Sequence, residues 1–154
     1  MQVRDAQMKD ADEACLVFRR SITELCHCEH LGDASTLAMW FAKKTGENMR
    51  RWINQNHVFV AIEGKAIIAV GAISNFGEIM LNYVSPDARF RGVSKALIER
   101  LETIASELEL PVVTLQSSAT TRKLYLSAGY RENALPVKGF GVTFGYPMAK
   151  QLGK

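Results

Sequence analysis

The residues that most readily suggest chemistry run Pro86-Asp87-Ala88-Arg89-Phe90-Arg91-Gly92-Val93-Ser94-Lys95-Ala96-Leu97, with three cations set among small residues at the start of an apolar-striped run. The first turn of a helix presents unpaired backbone N–H groups and the positive end of the helix dipole, so an anion such as a diphosphate is stabilised there. Gly92, Ser94 and Ala96 keep side chains short, while Arg89, Arg91 and Lys95 add charge. The same residues also fit an ordinary connection with a solvated basic rim. Neither G-x-x-x-x-G-K-[ST] nor G-x-G-x-x-G occurs, which excludes a P-loop and a dinucleotide fingerprint. A second cluster, Cys26-His27-Cys28-Glu29-His30, puts Cys26 and His30 on one face of a helix. Zinc takes three or four protein ligands and His57 is the only other histidine, so no metal is expected.

The elements that must position these groups follow from periodicity. A short strand at 2–4 precedes Asp10-x-x-Glu13, an N-cap signature, and a helix over 11–26 with Ala14, Val17, Phe18, Ile22 and Leu25 at helical spacing. Two small helices follow Ser35 and Thr45. Their Trp40, Phe41, Met49 and Trp52 read as core or as the wall of a pocket, and Lys43, Lys44, Arg50 and Arg51 as a solvated face. Segments 57–62, 66–73 and 78–84, joined by short turns, form an antiparallel meander. A helix over 92–108 follows the basic loop, with Leu97, Leu101, Ile104 and Leu108 as its buried stripe. Val112-Val113-Thr114-Leu115-Gln116 reads as a central, buried strand. A helix over 119–128 ends at Gly129, and 140–148 supplies a last strand.

Composition bounds the function classes. The 154 residues are 47% hydrophobic and 23% charged, with 11 Gly and 4 Pro, and no repeat or linker divides them. One domain over 1–154 is expected, since that length buries roughly 70% of its unfolded surface. The longest uncharged stretch, 66–77, is too short to span a bilayer. The first residues carry charge at once and form no secretory signal, and three cysteines, two of them adjacent but one, suit a reducing compartment; the expectation is cytoplasmic. A net charge of +3 favours a local anion site over a nucleic-acid-binding face.

With these motifs in place, the sequence resembles the GCN5-related N-acetyltransferase (GNAT) family. Arg91-Gly92-Val93-Ser94-Lys95-Ala96 resembles that family's acyl-CoA loop, [QR]-x-x-G-x-[GA], with Ser94 at a glycine position. The run from Gly77 to Pro86 resembles its fourth strand. Ser118-Ala119-Thr120-Thr121-Arg122-Lys123-Leu124-Tyr125-Leu126-Ser127-Ala128-Gly129-Tyr130 resembles its N-x-x-A-x-x-[FL]-Y-x-x-x-G-[FY] segment, with Ser118 in place of Asn and Thr121 in place of Ala. Cys26, His30 and Lys44-Thr45 resemble positions shared within a bacterial branch.

The resemblance implies an α+β, three-layer fold: a mixed, mostly antiparallel sheet with a splayed parallel strand pair and flanking helices. It implies an N-acetyltransferase moving an acetyl group from acetyl-CoA to a primary amine by direct attack in a ternary complex, without a metal. Acetyl-CoA would meet Tyr83 and Val84 on the strand, Arg89, Arg91, Gly92, Val93, Ser94, Lys95 and Ala96 at the helix start, and Ser118. An alkyl ammonium with a pKa of ~10.4 must lose a proton before attack. Glu78 is the candidate base, acting through water, against the alternative of a solvent-facing charge at the start of a strand. Tyr125 is the candidate donor to the leaving thiolate, against the alternative of an aromatic packing residue. Cys26 and His30 would line the acceptor pocket, or simply close a helix end. The acceptor would be a small-molecule or peptide amine; membrane and nucleic-acid partners are not expected, and a homodimer is compatible. Two other readings stand beside this one: a non-catalytic acyl-CoA-binding regulatory domain, and a toxin-like aminoacyl-tRNA acetyltransferase.

Overall fold

A computed structural model of the chain describes residues 1–26, 30–42, 44–139 and 141–153. In chain order its elements are β1 (Gln2–Asp5), α1 (Ala11–Leu25), α2 (Ala34–Phe41), α3 (Gly46–Gln55), β2 (His57–Glu63), β3 (Ala66–Ile73), β4 (Ile79–Val84), α4 (Val93–Glu107), β5 (Val112–Ser117), α5 (Arg122–Ser127), β6 (Arg131–Glu132), β7 (Val137–Lys138) and β8 (Phe144–Gln151). Strands β1 to β4 pair antiparallel in sequence order, while β5, β8 and β6 form a second antiparallel sheet with β7 attached to β8. Among the described residues the two sheets meet through one parallel bridge, Glu78 with Thr114, where the Thr114 N–H donates to the Gly77 carbonyl at 2.9 Å. Beyond that point β4 and β5 run on without a ladder. This is the α+β arrangement expected from the sequence, with its parallel pair held at one end and open at the other.

Two apolar cores lie on opposite faces of the first sheet. Alternation in β2 sends Val58 and Val60 to the side of α1 and Phe59 and Ala61 to the side of α4. Each of the two junctions of β3 carries a register shift. Pairing passes from Ala61↔Ala69 to Ile62↔Ile67, which leaves Ile68 as an extra residue, so that Ile68 and Ala69 face the same core. On the other side it passes from Ala72↔Leu81 to Ile73↔Ile79, and Met80 is the extra residue. Ile79 therefore packs in the α4 core and Leu81 in the α1 core. After this bulge Tyr83 packs toward α1 and Val84 toward α4, so the second half of β4 presents its faces in the opposite phase to the first.

Several expectations shift on contact with tertiary packing. The Asp10-x-x-Glu13 box does not close: Asp10 binds the Arg4 guanidinium and the Gln7 N–H, and Glu13 instead accepts from the Ile67 N–H at 2.8 Å, tying α1 to β3. The buried stripe of α4 is Val93, Leu97, Leu101 and Ala105, four apart, and Leu108 lies past the helix end, exposed. Strand β5 is not buried throughout; Val113, Leu115 and Ser117 are buried while Thr114 and Gln116 are exposed, because only one of its faces meets the core. Helix α5 starts three residues later than its periodicity suggests. The Ser117, Ser118 and Thr121 hydroxyls bond one another and Ser118 Oγ takes the Thr121 N–H, which spends that segment in a turn. The last strand runs to Gln151, and the two-residue strands β6 and β7 have no signal of their own in the sequence.

Gly77 is where the two sheets depend on a single residue. Its φ is +92°, and a Cβ there would stand 2.8 Å from the Val112 carbonyl oxygen. Gly77→Ala is expected to cost about 2–3 kcal/mol. Gly64→Ala, at φ +64° with no atom within 4 Å, should cost about 1 kcal/mol. Urea unfolding of the two variants side by side checks the difference.

Candidate active site

Where β4 and β5 part they leave a cleft of ≈ 320 Å³. Its walls come from the two strands, the end of α1, α2, the start of α4, the 117–125 turn and helix, and the loop before β8.

Tyr125, on α5, is 4% exposed and lines this cleft. Its ring meets the edge of Tyr130 at a centroid distance of 5.5 Å, and Asn82 Nδ2, from β4, donates to its oxygen at 3.2 Å across the gap. Burial pushes the phenol pKa up to about 12, and the Asn82 hydrogen bond opposes that rise. The phenol therefore stays protonated at neutral pH. With its oxygen already accepting from Asn82, its O–H remains to donate to a group in the cleft. Asn82 Oδ1 is buried with no hydrogen-bond partner, an uncommon cost that marks the site as polar by construction.

At the other end of the cleft, Gly92 caps α4 with φ +75°, a conformation that favours glycine even though no atom would crowd a Cβ there. The Ala96 N–H already donates to the Gly92 carbonyl at 3.1 Å, so the amides that precede the first helical bond are those of Val93, Ser94 and Lys95. Ser94 lines the cleft. Arg89, Arg91, Gly92, Val93, Lys95 and Ala96 are outside the lining; Arg89, Arg91 and Lys95 are exposed, Arg91 pairs with Glu63, and the Arg89 guanidinium lies 4.4 Å over the Phe90 ring.

On the α1 side, Ser21, Leu25 and Cys26 meet Trp40 and Lys44. Lys44 does not sit on a solvated face. Its carbonyl accepts from Cys15 Sγ at 3.1 Å and from Arg19 Nη1 at 3.2 Å, and burial lowers the pKa of its ammonium. The loop before β8 closes this side by docking on α2, where Thr36 Oγ1 accepts from the Val142 N–H and Asp33 caps the helix.

The structure thus brings Tyr83, Val84, Ser94, Ser118, Tyr125 and Cys26 to one cleft. His30 lies outside its lining: it is buried, its Nδ1 accepts from the Gly32 N–H at 2.9 Å, and its Nε2 lies 3.1 Å from the Ile22 carbonyl, the tautomer following from that network. Helix α1 ends at Leu25 with Cys26 as its C-cap, and the His30 N–H donates to the Cys26 carbonyl at 3.2 Å, an i to i+4 bond. His27, Cys28 and Glu29 lie outside the described residues, as does Lys43. Among the described residues no group of three or more His, Cys, Asp or Glu could hold a metal, and no helix is long and apolar enough to cross a membrane. Glu78 is exposed beside the Thr114 bridge, outside the lining; alternation about Ile79 puts it on the α1 face of the sheet. Asn82 is the site residue that sequence reasoning missed, although an amide set between Leu81 and Tyr83 in an otherwise apolar strand is its visible signal.

The fold recurs in solved structures. A GCN5-related N-acetyltransferase from Rhodopseudomonas palustris superposes with a TM-score of 0.87 at 19% identity, covering 97% of this chain and 94% of that one. The putative acetyltransferase yncA of Salmonella typhimurium, solved with acetyl-CoA, gives 0.76 at 18% identity over 100% and 95% of the two chains. The paia N-acetyltransferase of Thermoplasma acidophilum, solved with coenzyme A, gives 0.76 at 17% over 97% and 98%. No curated protein matches in sequence. These likenesses show that the fold is shared along nearly the whole of each chain. The model of the acetyltransferase (GNAT) domain matches residues 29–152, and the chain belongs to that family.

The Tyr125 environment predicts a titration. A difference spectrum between the wild type and Tyr125→Phe should lack one phenolate only near pH 12. A missing component near the ordinary pKa of ~10 would contradict the buried, proton-retaining phenol.

Proposed function

We propose that this chain transfers the acetyl group of acetyl-CoA to a primary amine by direct attack, both substrates sharing the cleft between β4 and β5. The single observation that carries this reading is the juxtaposition of a protonated, buried Tyr125, the open edge of β4 and the N-terminus of α4 around one gap. Supplied from acetyl-CoA, the acyl group leaves sulfur as the C–S bond breaks and joins nitrogen as a C–N bond forms. The chain's own part is to bind, orient and move protons. The Val93, Ser94 and Lys95 amides, with Arg89 nearby, suit a diphosphate at the helix start. The backbone of Tyr83 and Val84, unladdered toward β5, suits an amide-containing arm laid between the strands. Tyr125 donates its proton at the leaving sulfur, with Asn82 holding the phenol oxygen so that the O–H points away from it. Glu78, on the face shared with α1, accepts the amine proton through water. Cys26 stands in the wall nearest the acceptor, and His30 behind it holds the end of α1.

The test is thiol release against a panel of amines. Tyr125→Phe should lower kcat by about 10²–10³-fold and leave acetyl-CoA affinity within about threefold. Glu78→Gln should lower the rate at pH 7 and move the rise of the pH profile upward, because the neutral amine must then form without help. Tight acetyl-CoA binding with no turnover on any amine would favour a regulatory binding domain instead.

A further inference from the structure

Strand β5 carries an unused hydrogen-bonding group to the cleft. Leu115 packs in the α4 core, so Gln116 stands on the opposite face of the strand, the face shared with α1. Gln116 is exposed and lines the cleft. The Thr114 N–H turns to the Gly77 carbonyl, and main-chain groups of alternate residues point the same way, so the Gln116 N–H and C=O face the gap toward β4. On its other edge Gln116 pairs with Pro147 of β8, and Gly145 lies diagonal to it on the same face. A Cβ on Gly145 would stand 2.7 Å from Gln116 Oε1, so it is the lack of a side chain there that makes room for the amide end. Gly145 itself lines the cleft, which puts the amide end at that wall. Among the described residues neither Oε1 nor Nε2 of Gln116 has a hydrogen-bond partner.

A primary amide offers two donors and an acceptor in one plane. A substrate carboxylate would use only the donors and be repelled by Oε1. A second ammonium would use only the acceptor, and an alkyl group neither. Another amide uses both at once. Resting on the acetyl-transfer reading above, we propose that the acceptor is an amine with a neutral amide on the neighbouring carbon, the arrangement at the amino end of a peptide. Gln116, seated on Gly145, pairs with that amide and turns the amine toward the acyl group. A site that pairs with a substrate amide discriminates against the analogue that lacks it, because its own polar group is then left without a partner. A free amino-acid amide and a longer peptide present the same chemistry, and matched substrates separate them.

The experiment measures kcat/KM by thiol release for alaninamide, Ala-Ala amide, alanine and isopropylamine on the wild type, Gln116→Leu and Gly145→Ala. Comparing each substrate ratio between proteins cancels the differing amine pKa values, which belong to the substrates. Gln116→Leu should lower alaninamide relative to isopropylamine by about tenfold, through KM, with acetyl-CoA affinity within about threefold of the wild type. Gly145→Ala, whose methyl group meets the movable end of Gln116, should shift that ratio in the same direction while the urea midpoint stays near that of the wild type. Ala-Ala amide used better than alaninamide supports a peptide source, and the reverse supports a free amino-acid amide. Calorimetry on coenzyme A-saturated wild type reads the preference where turnover is slow, with alaninamide bound at least about tenfold more tightly than alanine. A ratio unmoved by Gln116→Leu, alanine bound as tightly as alaninamide, or no binding of alaninamide overturns this inference alone. Failure of acetyl-CoA to bind the wild type overturns the transferase reading with it.

Discussion

One hydrogen bond sets the geometry on which everything else in this chain depends. Among the described residues, the Thr114 N–H to the Gly77 carbonyl joins two sheets whose strands otherwise pair within their own sheet, and it does so at the beginning of β4 and not along it. A continuous parallel ladder would have satisfied every backbone group and left no gap. Pinned at one end, β4 and β5 diverge, and their facing backbone groups need partners from elsewhere. That unmet demand is what an amide-bearing arm laid between the strands would satisfy in the proposed reading. The left-handed Gly77 and the close approach of the Val112 carbonyl show how narrow the conformational allowance is at the pin.

The bulge at Met80 is the second constraint. By shifting the phase of β4, it lets one short strand serve two cores and two chemistries: Ile79 and Leu81 pack on opposite faces, after which Asn82 reaches across to Tyr125 while Tyr83 packs toward Phe18 at 5.7 Å between rings. Without the extra residue, Asn82 would fall on the α1 side and the phenol would lose its partner. Burial and the Asn82 bond act on Tyr125 in opposite directions, and burial prevails, so the group is held as an acid and not as a phenolate. The cleft therefore holds a neutral proton donor in its wall.

Much of the framework was legible in the residues themselves. The meander, the apolar stripe of α1, a helix starting after Thr45 and the loop leading into α4 follow from alternation and helical spacing, and the structure adds that Thr45 caps α3 by accepting from the Asn48 N–H. What was not legible depended on contacts distant in sequence. Glu13 abandons its cap because the Ile67 amide, 54 residues away, needs an acceptor. Lys44 reads as one of a charged run, and only the packing of α1 against the α2–α3 junction brings it among the residues that line the cleft. His30 is a pocket residue by the family resemblance, yet its imidazole turns to the carbonyls of α1 and lies outside the lining. Bulges leave no mark in an apolar run such as Ala66–Ile73, so the phase change that places Asn82 could be seen only in the strand register.

The central claim, that the gap between β4 and β5 and the start of α4 together form the seat of an acyl-CoA, is tested most directly by amide NMR during titration with coenzyme A. The account predicts large shift changes at Val93, Ser94 and Lys95, at Tyr83 and Val84, and through 117–121, with little change at the Gly129–Arg131 surface on the far side of β8. Saturable shifts confined to that far surface, or none at millimolar coenzyme A, would contradict it.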